Sequence, residues 1–318
     1  MMQDAILSMP KQFEYTPQIE QGKQQTYTHY ILLGMGGSHL AADILAELNP
    51  ILSLRIYSDY GLPHISDEKN TLIIASSYSG NTEEVLEGAQ LALKQGIPLA
   101  VISVGGALID LAKKYNLPYI QMPDTGIQPR SALGFSLRAL MKLLGEETLL
   151  KESNKLAHMN PQALEEQGKK IATSWTGKTP VIYTSQKNKS IAYNWKIKMN
   201  ETGKIPAVYN VFPEMNHNEM NGFDVSPDHK ELIEHFTICM IEDEHDHPKV
   251  QKRMHIAKKL YEDRGIPVMT LKLEGATHIE KIFTSLTLAD WVAVHSAAQY
   301  GHEAEQVPMI EEFKRLIG

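Results

Sequence analysis

The chain has 318 residues, 42% of them hydrophobic and 22% charged, with a formal net charge of -7 and a single cysteine. Such a length and composition suit a globular protein of one large or two medium α/β domains and exclude an intrinsically disordered chain. The acidic balance argues against a nucleic-acid partner, because affinity for a phosphate backbone needs concentrated Lys and Arg, and one cysteine excludes an internal disulfide.

The opening "MMQDAILSMPKQFEY" lacks the basic start and continuous apolar core of a secretory signal. The most apolar stretch, "IPLAVISVGGALIDLA", is broken by glycines and by Asp110. A cytoplasmic protein without a membrane segment is the expectation.

From residue 29, short β-branched runs alternate with amphipathic helical segments. "YILLG" leads into "SHLAADILAEL", where Leu40, Ile44, Leu45 and Leu48 share one face at helical spacing. Then come "LRIYS", "TLIIAS", the helix "TEEVLEGAQLALKQ" stopped by Gly96, "LAVISV", the helix "LIDLAKKY" and "YIQMP". Parallel strands need crossover connections, so this order predicts a mainly parallel sheet covered by helices on both sides. A helix over "PRSALGFSLRALMKLLG" has Pro129 near its first turn, and the polar, helix-prone residues 146–178 form a link. A second alternation follows: "PVIYTS", "SIAYNWKIKMNE", "AVYN", "FTICMIE", "KVQKRMHIAKKLYEDRG", "PVMTLKL" and "IEKIFTSLTLADWVAVHSAAQYG", with a last helix after Pro308. The expectation is two three-layer αβα domains of flavodoxin-like type, 1–150 and 151–318. Cys239, inside "FTICMIE", reads as a buried structural thiol.

Two strand-to-helix junctions carry chemistry. In an open parallel sheet ligands bind beyond the carboxyl ends of the strands, where a helix start points unpaired N–H groups and a positive dipole end into the crevice. "TLIIAS" into "SYSGNTEEVL" is such a junction: Ser77, Ser79 and Thr82 supply hydroxyls, Gly80 permits a tight turn, and Asn81 or Thr82 can cap the helix. A phosphate monoester fits this opening without a lysine. In "LLGMGGSHLAADIL", Gly34, Gly36 and Gly37 join another strand to a helix with Ser38 at its N-cap. A dinucleotide fingerprint is disfavoured there, because its last glycine is replaced by the large His39 and the ribose acid would be a loosely placed Asp59. Two glycine and hydroxyl loops, with no G-K-S/T, favour a compact sugar phosphate.

The S-x-S-G-x-T and G-x-G-G-S stretches resemble the sugar isomerase (SIS) domain, and the doubled alternation is similar to proteins built from two such domains. "MNETGKIPAVYN", "PEMNHNEMNGF" and "GIQPRSALGF" more specifically resemble the bifunctional phosphoglucose/phosphomannose isomerase family. The resemblance implies an aldose–ketose isomerase, a homodimer without metal or other cofactor, acting on glucose or mannose 6-phosphate and fructose 6-phosphate. It implies Gly36, Gly37, Ser38, Ser77, Ser79 and Thr82 as substrate-binding residues and Glu201 as the base that moves a proton between C1 and C2. His217 matches the ring-opening histidine, given in that family across a dimer interface. Arg130 and Lys314 match the cations that stabilise the enediolate. Glu214 and Glu219 flank His217 and are candidates to orient it. This division of labour would place the site between domains.

A non-catalytic sugar-phosphate-binding regulatory protein is the alternative, without a DNA-reading segment to support it. "EDEHDHP", residues 242–248, reads as a solvated acidic turn and not a metal site. Where the family has small residues and glycines the chain reads His39, Leu40, Ala41, Ala42, Asp43, and it has Phe223, preceded by "EMNG", where the family has a tryptophan or similar residue and commonly a short aliphatic pair; both changes are expected close to the sugar.

Overall fold

A computed structural model describes residues 2–22 and 25–317. The chain forms two compact units: Ser8–Met159, and the residues up to Leu7 together with Asn160 onward. Each is described by itself.

The first unit holds β1 (His29–Leu33), β2 (Leu54–Tyr57), β3 (Thr71–Ser76), β4 (Leu99–Ser103) and β5 (Tyr119–Gln121), all parallel, in the order β2-β1-β3-β4-β5. Its helices are α2 (Leu40–Leu48), α3 (Glu83–Gln95), α4 (Gly106–Tyr115), α5 (Leu133–Leu143) and α6 (Glu147–Ser153). Strands β3 and β4 are buried at every residue, as their unbroken apolar sequence requires of strands covered on both faces. Helix α3 buries Val85, Gly88, Ala89 and Ala92, one face at helical spacing, and ends at Gly96 with φ 72°, where Ile97 N–H reaches back to the Ala92 carbonyl. The core joins Ile31, Leu33, Ile73, Val101 and Leu108 to that face.

The second unit repeats the order with one strand fewer. Strands β6 (Thr179–Ser185), β7 (Val208–Phe212), β8 (Phe236–Glu242) and β9 (Val268–Lys272) are parallel and lie β7-β6-β8-β9. They are accompanied by α1 (Met2–Ser8), α7 (Glu165–Ser174), α8 (Lys189–Glu201), α9 (Lys230–Ile233), α10 (Pro248–Glu262), α11 (His278–Gln299) and α12 (Pro308–Ile317). Helix α11 buries fifteen of its 22 residues, and α1 packs Met2 and Ile6 on its Trp291 and Val294. Cys239 is fully buried in β8, which pushes its thiol pKa up and leaves it unreactive. Both units are thus α/β with mainly parallel sheets flanked by helices. No described helix is long and apolar enough to cross a membrane.

The helical link expected over 146–178 is broken. It divides into α6, two 3-10 turns at Asn154–His158 and Pro161–Leu164, and α7. Pro161 cannot donate to a preceding helical turn, and the break falls just before it.

Candidate functional site

In both sheets the strand order reverses between the first and third strands of the unit, β1 and β3 in one, β6 and β8 in the other. Connections leave in opposite directions there and open a crevice beyond the carboxyl ends. In the first unit both sequence-predicted loops flank that point.

Their internal bonding differs from simple helix capping. Gly36–Ser38 is a 3-10 turn, and His39, not Ser38, is the N-cap residue of α2. Ser38 Oγ instead accepts from Tyr78 N–H (3.0 Å), while the Ser38 carbonyl accepts from Ser76 Oγ (3.0 Å), so the β1 and β3 loops are joined directly. Ser77, 1% exposed, accepts the Gly80 N–H (3.1 Å) and shares a hydrogen bond with Thr82 Oγ1 (2.7 Å). Thr82 is the N-cap residue of α3 but makes no side-chain cap, and Asn81 Oδ1 accepts from Ala107 N–H (3.0 Å) of α4 instead. The expected side-chain caps are therefore diverted, and the α3 amino end keeps its N–H groups uncapped by side chains. Ser79 Oγ accepts from Asn81 N–H (3.3 Å) and is exposed.

A third loop escaped the sequence reading. Ser103, fully buried at the end of β4, donates to the Gly105 carbonyl (2.8 Å), and Val104 N–H and Leu108 N–H bond to the Tyr78 and Gly80 carbonyls. Gly80, at φ 73°, lies so close that a Cβ there would stand 1.8 Å from the Gly105 oxygen. Glycine is required at that contact.

Arg130 is brought to the same place. It lies in the 3-10 turn Pro129–Ser131, is 3% exposed, and its backbone N would sit 2.9 Å from a Cβ placed on Gly37. The turn is held by Gln12, a buried side chain that donates to the Ser131 carbonyl (2.7 Å) and accepts from Gly134 N–H (2.9 Å) at the start of α5. Sequence reasoning missed Gln12, which stands between Lys11 and Glu14 in a mixed polar stretch and carries no local signal. Pro129 begins this separate turn, and α5 starts at Leu133.

The remaining candidates belong to the second unit. Glu201, half-buried, is the last residue of α8, where its backbone carbonyl accepts from Lys204 Nζ (2.5 Å). His217 is exposed on the turn Glu214–His217 after β7. Glu219 ties that segment to the sheet by accepting from Tyr183 Oη (2.5 Å) and Asn210 Nδ2 (2.6 Å), and Glu214 accepts from Asn218 Nδ2 (2.9 Å). The two carboxylates thus hold the loop. Lys314 is exposed on α12, a helix without a buried residue.

One expectation is corrected. Residues 242–248 are not simply a solvated turn: Asp243 and Asp246 are 1% and 5% exposed. Asp243 pairs with Lys281 (2.7 Å) and Lys187 (3.1 Å), and Asp246 accepts from Ser185 Oγ (2.7 Å). Burial alone would raise the Asp243 carboxyl, but the lysine ammonium groups and the His245 N–H hold it below the usual carboxylate range. Glu244 and His245 do face solvent. The departures from the family pattern are also occupied locally: His39 is buried with Nδ1 2.7 Å from Asp43 Oδ2, and Phe223 packs edge-on against Phe236 and Tyr261.

The family profile described as the bacterial phospho-glucose isomerase C-terminal SIS domain matches residues 164–317. A bifunctional phosphoglucose/phosphomannose isomerase of Aquifex aeolicus is 34% identical over 92% of this chain and 91% of its own length. One from Caldicellulosiruptor bescii is 32% identical over 99% and 98%. Among solved structures, glucosamine-6-phosphate deaminase of Thermotoga maritima superimposes with a TM-score of 0.69 over 96% of each chain at 15% identity, a likeness of fold.

Proposed function

The chain belongs to the bifunctional phosphoglucose/phosphomannose isomerase family, and from that premise we propose that it interconverts glucose 6-phosphate or mannose 6-phosphate with fructose 6-phosphate. The observation that carries the reading within the molecule is the convergence of the Gly36–Ser38 loop, the Ser77–Thr82 loop and Arg130 at the switch point of the first sheet. Hydroxyls and uncapped N–H groups suit a phosphate ester, which they hold without a mobile lysine.

In this reading the phosphate sits on Ser77, Ser79 and Thr82, and Gly36, Gly37 and Ser38 border the sugar. His217 protonates the ring oxygen and takes the hydroxyl proton from C1, opening the hemiacetal to the aldehyde. The Glu201 carboxylate removes the C2 proton, electrons move to the C1 carbonyl oxygen, and the cis-enediolate forms. Arg130 and Lys314 stabilise its oxyanion. The C2 hydroxyl proton passes to the C1 oxyanion, and Glu201 then returns its own proton to C1 as the C2 oxygen becomes the ketone. The working form is a homodimer in the cytoplasm.

The test is deuterium exchange at C2. Glu201→Gln should lose exchange with solvent while binding fructose 6-phosphate within a few fold of wild type, and a variant with normal exchange removes Glu201 from the base role.

A further inference from the structure

Lys204 follows α8 at φ 56°, in the left-handed region. Ile205 N–H reaches back to the Met199 carbonyl (3.2 Å), so Lys204 stands where a helix C-terminus ordinarily takes glycine. The sequence places Gly203 one residue earlier and a lysine at the costly position. The side chain explains the choice. Its ammonium donates to the carbonyls of Glu201 (2.5 Å), Gln306 and Ala304 (3.5 Å). One cation thus joins the carboxyl end of the helix that carries Glu201 to the segment that enters α12.

That segment has its own local order. The Glu303 carboxylate accepts from Glu305 N–H (2.9 Å) and Gln306 N–H (2.7 Å), and Ala304 packs against the cluster of Met2, Ile6, Trp291 and Val294. Helix α12 beyond it has no buried residue, so the anchoring of its base bears on its direction.

We propose that Lys204 is a positioning residue: it latches residues 304–306 to the end of α8 and thereby fixes the α12 base, setting Lys314 relative to Glu201. It touches backbone, not substrate. The inference rests on reading Glu201 and Lys314 as base and cation.

Lys204→Gly removes the ammonium while suiting the backbone conformation, so the fold should be retained. The experiment combines amide hydrogen exchange with steady-state kinetics of wild type, Lys204→Gly, Lys314→Ala and the double variant. Lys204→Gly is expected to expose the amides of residues 305–313 to faster exchange. It should lower kcat by about 10²-fold with KM within roughly threefold, since a shift of about 1 Å in a catalytic group costs that much. The double variant should be no slower than Lys314→Ala alone, because both lose the same interaction. Unchanged kcat, unchanged exchange in 305–313 or additive losses would overturn the latch. If Lys314→Ala keeps full kcat, the reading of Lys314 fails first and the positioning role fails with it, even where exchange rises; wild-type inactivity would instead fault the isomerase reading.

Discussion

Chemically similar serines in the Ser77–Thr82 loop have different settings, and burial separates them. Ser77 is enclosed and bonded to Gly80 N–H and Thr82 Oγ1, whereas Ser79 is exposed. Ser77→Ala should lower stability by about 1 kcal/mol, the usual net loss for one hydrogen bond, and also raise KM for fructose 6-phosphate. Ser79→Ala should raise KM with a stability change within about 0.5 kcal/mol, as for surface substitutions. Urea unfolding alongside initial rates checks both, and equal stability losses would contradict the distinction. The residue types of this loop were legible in the sequence. Their partners were not: hydroxyls named as helix caps bond across the loop, Thr82 to Ser77 Oγ, or to a neighbouring strand's loop, Ser38 to Tyr78 N–H, and these partners are set by the tertiary fold.

At the scale of elements, the two sheets treat the same crevice in opposite ways. The first leaves glycines, hydroxyls and an uncapped helix start between the β1 and β3 loops. In the second, the β6 and β8 loops contribute Ser185, Lys187, Asp243 and Asp246, and α11 inserts Lys281 among them. Fixed internal charges occupy that end of the second sheet. Asp243→Ala should destabilise the protein by about 3 kcal/mol, because it leaves the buried Lys281 ammonium with the exposed Glu244 carboxylate at 3.4 Å in place of its closer partner. Thermal unfolding would reveal it, and a loss under 1 kcal/mol would show that Lys281 is solvated. Gly80→Ala should disable the hinge of β3 and α3: its Cβ meets the Gly105 carbonyl at 1.8 Å, and isothermal titration with fructose 6-phosphate should show binding lost. The helix boundary at Gly96 could be read directly, since it acts through local backbone geometry. The acidic run at 242–248 could not be read so, since its lysine partners lie tens of residues away.

For the whole molecule, ligand and proton linkage give further tests. Fructose 6-phosphate at 100 times its Kd should stabilise the binding-competent fold by about 2.7 kcal/mol. Wild type and Glu201→Gln should both show the resulting rise in Tm, and a combined Ser77→Ala and Thr82→Ala variant should not. Asp243 sets an acid limit: its folded pKa is depressed, so its contribution is complete above the unfolded value of about 3.9 and disappears as pH falls through the lower folded value. Asp246 has the opposite sign, because burial raises its carboxyl and its ionisation therefore costs stability as pH rises. Stability measured from pH 6 downward should fall less steeply in Asp243→Asn than in wild type. Sequence by itself determined the alternation of strands and helices and the two glycine and hydroxyl loops, because periodicity and turn chemistry are local, while Glu201, His217, Arg130 and Lys314 enter through the family resemblance and not through spacing. Tertiary structure alone decided which hydroxyls stay available, that Gln12 holds the Arg130 turn, and that Asp243 is neutralised inside the second unit. Those outcomes depend on hydrogen bonds and ion pairs between residues far apart in the chain, whose energies arise only when folding removes water from them.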